Sequence, residues 1–131
     1  MTEVHHVCNL DKQLYSVVTK DIASDEVIIT TERIGHIAGH HPGDYEKYRQ
    51  YIEQAITKPD YIIEANRPNT ALILKEIKLA DKVFKLILRL KTSKDPVAYK
   101  NSVITFMKID AKEWNRLVKN KKNLYKSPAR V

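Results

Sequence analysis

Arg33, His36 and His41 fall within nine residues, in the run Thr31-Glu-Arg-Ile-Gly-His-Ile-Ala-Gly-His-His-Pro42. Imidazole exchanges protons close to neutral pH, and guanidinium keeps its charge throughout the physiological range. Two imidazoles beside one guanidinium are what cleavage of a phosphodiester without a metal requires. One ring takes a proton, the other gives one, and the fixed cation meets the charge that builds on the phosphorus-bound oxygens. His40 is a further imidazole in the same run. At 100° per residue, a helix would carry Arg33, His36 and His40 on one arc about 60° wide, with Ile34, Ile37 and Ala38 on another.

His36 and His40 stand at i and i+4, a spacing that chelates zinc when a third ligand arrives from elsewhere. No Glu follows His36 as a His-Glu-x-x-His site would require, and the chain has a single cysteine, Cys8. No metal and no cofactor is therefore expected. His5, His6 and Cys8 form a looser cluster that reads as a disordered start and a buried thiol.

The elements that must position these groups follow from the pattern around them. Gln13–Thr19 and Val27–Thr30 are β-branched and apolar, which predicts two short strands joined by a turn. Thr30 or Thr31 then caps a helix, with Glu32 in its first turn and Gly39 at its end. Pro42 suits the first turn of a second helix and biases His41 toward extended geometry, so His41 lies at a joint between helices. From Asp44 onward Tyr45, Tyr48, Ile52, Ala55 and Ile56 recur at spacings of three and four until Pro59. Strands are predicted at Tyr61–Ala65, Thr70–Leu79, Lys82–Lys91 and Asn101–Ile109, and a short helix at Ala111–Lys119. The class is α+β: N-terminal short strands and two helices packed on a four-stranded antiparallel sheet. Along Lys82–Lys91, Phe84, Leu86, Leu88 and Leu90 share the face toward the helices. Val83, Lys85, Ile87, Arg89 and Lys91 share the other, which should be open and basic.

Candidate contacts to a phosphate chain lie on that open face. Arg89 and Lys85 supply cations, while Asn101, Ser102 and Thr105 place polar groups in an otherwise apolar strand. Ser102 and Thr105 differ in parity, so a flat strand would present only one of them to a given face. The 131 residues carry 23 Lys and Arg against 16 Asp and Glu, a net +7, and residues 112–131 alone hold seven cations against Glu113. A concentrated basic segment suits a polyanion. There Tyr125, beside Lys121, Lys122 and Lys126, could stack a base.

Residues 1–131 read as one domain, with 1–11 as a disordered start and 120–131 as a basic tail. The lone cysteine forms no internal disulfide, no apolar run approaches the ~20 residues of a membrane span, and the first residues lack the pattern of a secretory signal. A cytoplasmic location, or delivery into a target cytoplasm, is the expectation, without a membrane partner.

With these residues assembled, the chain resembles the phage-associated nuclease domains of the barnase, EndoU, colicin and RelE-like fold, the BECR or PBECR group. The resemblance rests on Thr31-x-Arg-x-x-His-Ile-x-x-x-His-Pro42, Pro59-Asp-Tyr-Ile-Ile63, Arg67-Pro-Asn-Thr70, Leu86-x-Leu-Arg89, Tyr99-Lys-Asn-Ser-x-Ile-Thr105, Trp114-x-Arg116 and Asn120-Lys-x-x-Leu-Tyr125. It implies the BECR fold and a metal-independent ribonuclease acting on RNA, in a phage or toxin setting, with an immunity or antitoxin protein as a possible further partner. It makes His36 and His41 the motif histidines, Arg33 and Arg89 the matched cations, and Ser102 and Thr105 the strand hydroxyls. His40 ranks below His41 on this basis. Two other readings stand beside it: an RNA-binding module of the same fold without turnover, and a metal-dependent phosphoesterase.

Overall fold

In a computed structural model, which describes residues 3–130, the chain folds around one seven-stranded mixed sheet. The elements in order are β1 Val4–Asn9, α1 Lys12–Tyr15, β2 Glu26–Thr30, α2 Thr31–His40, α3 Asp44–Tyr48, α4 Ile52–Thr57, β3 Tyr61–Glu64, β4 Thr70–Ile77, β5 Lys82–Arg89, β6 Asn101–Ile109, α5 Ala111–Asn120 and β7 Asn123–Lys126. The strand order is β1-β2-β6-β5-β4-β3-β7. The expected four-stranded antiparallel sheet is thus the middle of a larger one. The hairpin β1–β2 joins it through a parallel pairing of β2 with β6, and β7 adds antiparallel to β3 at the far edge.

Both additions correct the sequence reading. The start expected to be disordered contains β1, whose Cys8 and the following Leu10 are buried in the core. Burial, reinforced by the negative charge of Glu53, pushes the Cys8 thiol up to about 11. The strand expected at Gln13–Thr19 is replaced by α1 and a turn. Asp11 accepts hydrogen bonds from the Gln13 and Leu14 amides at 3.0 and 3.1 Å, and this cap outweighs the local β preference. Tyr15 then points inward, and its hydroxyl donates to the Ile56 carbonyl at 2.7 Å. At the other end, the basic tail contributes a four-residue strand, Asn123–Lys126, whose pairing its lysine-rich surroundings concealed. Met1, Thr2 and Val131, which belong to the expected disordered start and basic tail, lie outside the described residues.

The sheet has a core on each face. Ile62, Ile73, Phe84, Leu86, Leu88, Val103 and Phe106 join Tyr45, Tyr48, Ile52 and Ile56 of the helices on one side. On the other side Tyr61, Ile63, Leu72 and Leu74 pack beneath Trp114 and Leu117 of α5. The second face is therefore partly roofed, where the sequence had suggested an open basic surface. Alternation within β3 and β4 serves two apolar cores, so it carried no signal of which face was free.

The helix expected from Asp44 is broken: α3 and α4 are separated by a 3-10 turn at Arg49–Tyr51. α2 runs to His40, past Gly39, and Gly43 is the glycine in the left-handed region, at φ +86°. A Cβ is disfavoured at that angle, and this turn sets the entry of α3.

Candidate functional site

α2 begins where β2 ends. The Thr30 hydroxyl accepts a hydrogen bond from the Arg33 amide at 3.2 Å, closing the first turn as its sequence suggests. Ile37 is buried and Ile34 and Ala38 pack against the helix-side core, which turns the polar arc outward. On that arc Arg33 lines a cleft, and the exposed rings of His36 and His40 meet edge to face with centroids 4.6 Å apart.

The cleft, about 590 Å³, lies on the second face of the sheet in the part α5 leaves uncovered. Its floor includes Leu72 of β4, Ile87 of β5 and Ile104 of β6, and its rim carries Arg33, Arg67, Arg89 and Lys121. Its described lining contains four cations and no carboxylate. A depression of similar size around Asp60, Lys75, Glu76 and Arg130 differs in kind, because its charges are matched within it: Arg130 lies 2.5 Å from Glu76 and 3.5 Å from Asp60. Electrostatically the first cleft is the one suited to an anion.

The parity problem of Ser102 and Thr105 is solved by a β-bulge. Arg89 pairs with Ser102 and Ile87 with Thr105, with an irregularity between Ile87 and Leu88 where β6 carries one more residue than β5. Arg89 and Ile87 share a face, so their partners do as well, and both hydroxyls come to the cleft side. Ser102 bonds the Lys100 carbonyl at 3.1 Å, whereas Thr105 makes no side-chain hydrogen bond among the described residues.

Other expected residues are placed elsewhere. His41 ends α2 and lines a small cavity with Tyr45, Tyr48, Phe84 and Phe106, on the helix side of the sheet. Lys85 sits on the cleft face but reaches Glu113 of α5 at 3.8 Å. Asn101 is fully buried, with its side-chain amide engaged by backbone groups. Tyr125 pairs with Ile62 and packs its ring against the helix-side core, away from any stacking position in the cleft. Lys121 does reach the cleft, donating to the Asn66 side chain at 2.6 Å.

Arg67 completes the cation set, although it was not among the expected site residues. Its signal was the motif Arg67-Pro-Asn-Thr70, which ends at the residue paired with Arg89.

Arg89 is the most constrained member. Its guanidinium donates to both oxygens of Asp95, at 3.0 and 3.3 Å, and to the Leu90 carbonyl. The Asp95 carboxyl is held below its ordinary value, first by the Thr92 backbone N–H and then by Arg89, against an opposing effect of desolvation. A carboxyl lowered by folding stabilises the fold above its unfolded value and loses that contribution as pH falls through the folded one. The loop that follows β5 is therefore expected to loosen only on acidification below the ordinary aspartate range. The Thr92 amide, which donates to Asp95 at 2.7 Å, reports this directly. Its NMR shift should show an acid transition that Asp95→Asn removes; an unchanged titration in that variant would refute the assignment.

No described helix is long and apolar enough to cross a membrane. No curated protein and no solved structure matches the chain. A family pattern does match, and it runs from residue 6 to residue 126, nearly the whole chain. The chain belongs to the phage-Barnase-EndoU-ColicinE5/D-RelE like nuclease 2 family, PBECR2.

Proposed function

We propose that this nuclease is a metal-independent endoribonuclease that cleaves RNA by attack of the ribose 2′-OH on its own 3′ phosphate. The observation that carries the reading is the position of Arg33: it lines the cationic cleft and stands one helical turn before His36 on the same arc. In the reaction one imidazole removes the 2′-OH proton as O2′ bonds to phosphorus. The bond to the 5′ oxygen breaks, and a second imidazole protonates that oxygen. The products are a 2′,3′-cyclic phosphate and a free 5′-OH. His36 supplies one imidazole, and the second comes from His40 or His41 at the end of the same helix. Arg33, with Arg67 and Lys121, meets the charge on the nonbridging oxygens, and Thr105 offers a hydroxyl donor from the floor strand. Ser102 and Arg89 line the path of the adjoining strand.

A role in phage biology or bacterial conflict, with an immunity or antitoxin protein covering the cleft, belongs to the same proposal. Labelled RNA and its 2′-deoxy counterpart, each incubated with and without EDTA, test the chemistry. RNA should be cut equally in both conditions, leaving cyclic phosphate ends, and the deoxy strand should survive. Loss of cutting in EDTA would establish a metal-dependent phosphoesterase, and binding without cutting an inactive RNA-binding module.

A further inference from the structure

The loop between β5 and β6 carries two exposed large side chains, Val97 and Tyr99. Val97 is 92 % exposed and Tyr99 is 37 % exposed, although much of the loop is held firmly. Asp95 accepts from the Thr92 amide and hydroxyl and from Arg89, the Lys91 ammonium donates to the Val97 carbonyl at 2.8 Å, and the Tyr99 amide donates to the Pro96 carbonyl at 2.9 Å. Across the loop's base the Ser93 hydroxyl donates to Asp21 at 2.8 Å. A segment tied down this way presents the Tyr99 ring in a fixed direction.

The Arg89 guanidinium carbon lies 5.7 Å from the centroid of the Tyr99 ring. Arg89 also lines the cationic cleft, so Tyr99 stands at the border of the surface that would hold a phosphate chain. With its N–H groups engaged by Asp95 and Leu90, Arg89 is poorly available as a phosphate clamp. A cation beside an aromatic ring is attracted to it and restrains it, and Tyr99 remains 37 % exposed. Exposed aromatic rings next to a backbone-tracking cationic groove are the means by which proteins hold single-stranded nucleic acid bases.

We infer that Tyr99, steadied by Arg89, is a stacking platform for one unpaired nucleobase of the strand whose phosphates lie in the cleft. The inference rests on the RNA reading above and adds where a base is held and by which face. Stacking engages a π-face that every base has, so the platform fixes the register of the strand and leaves its sequence largely free.

The test uses a fluorescent 2′-O-methyl RNA hexamer, which has no free 2′-OH to attack, and a series of the same hexamer with one abasic position each. Binding is read by anisotropy. For the full chain one abasic position should weaken binding by roughly 5- to 150-fold, the range that loss of one stacked base implies. Tyr99→Ala should bring that penalty below about twofold, while Tyr99→Phe preserves it. Arg33→Ala should weaken all hexamers alike and flatten the salt dependence. Tyr99 is a surface side chain, and thermal melting of each variant confirms that it folds. If Tyr99→Ala keeps the positional penalty, or if no position carries one, the platform is wrong although the RNA reading stands. If the wild-type chain binds no hexamer and cuts no RNA, both fall.

Discussion

Replacing His36 by alanine is expected to slow RNA cleavage by on the order of 10² to 10⁴, the usual contribution of a positioned proton-transfer group. Binding of an uncleavable RNA should change by no more than a few-fold, because the cleft cations remain. The three histidines of the run should separate in a defined order. His40→Ala should follow His36→Ala, since the His40 ring already lies 4.6 Å from the His36 ring on the arc that Arg33 shares. His41→Ala should cost least in catalysis, because His41 lines a cavity with Tyr45 and Phe106 on the helix side of the sheet. The measurement is single-turnover cleavage across pH. A bell-shaped profile is expected, and a variant lacking one proton carrier should lose one limb of it. If His41→Ala loses the limb while His40→Ala is unaffected, the motif match would have located the second imidazole better than the geometry. If all three variants cut normally, the acid–base assignment is wrong.

The same histidines show how much was legible in the sequence. Helical period was enough to put Arg33, His36 and His40 on one arc, because Ile34, Ile37 and Ala38 had to face a core. It could not rank His40 against His41. That choice depends on the backbone after His40, where His41 leaves the helix at φ −139° and ψ 79° and comes to line the cavity beside Tyr45 and Phe106. The strands β3 to β6 were read nearly to their ends, since each is largely apolar and bounded by turn residues. β1 and β7 were missed because His5, His6 and Lys126 look like solvated termini, and their strand character comes from a neighbouring edge that local composition does not reveal. The joint presentation of Ser102 and Thr105 was hidden for a related reason, since a bulge is a property of two paired strands. Arg67 stood in the sequence only as part of the motif Arg67-Pro-Asn-Thr70, because a cleft whose four cations come from four separate segments has no local period.

Asn101→Ala should be the most damaging single substitution for stability, although Asn101 touches nothing in the cleft. Its carboxamide is 0 % exposed; its oxygen accepts the Lys91 amide at 2.7 Å and its nitrogen donates to the Ser24 and Glu26 carbonyls at 2.7 and 3.0 Å. The two bonds to Ser24 and Glu26 cross the parallel junction of β2 and β6, where Val27 and Ile28 pair with Asn101 and Ser102 and little else of the ladder joins the N-terminal hairpin to the sheet. Alanine leaves one backbone donor and two acceptors without their partner, and each buried orphan costs about 1 to 3 kcal/mol. A total of roughly 3 to 9 kcal/mol is expected, a large share of the ~5 to 15 kcal/mol that a domain has. Urea unfolding measures it, and a loss under about 1 kcal/mol would show that water replaces the amide. Because α2 starts at the residue after β2, loosening this junction also displaces Arg33 and His36. Cleavage by Asn101→Ala should therefore fall with rising temperature earlier than its global melting. His36→Ala should show the reverse, a rate deficit at every temperature with an unchanged melting curve.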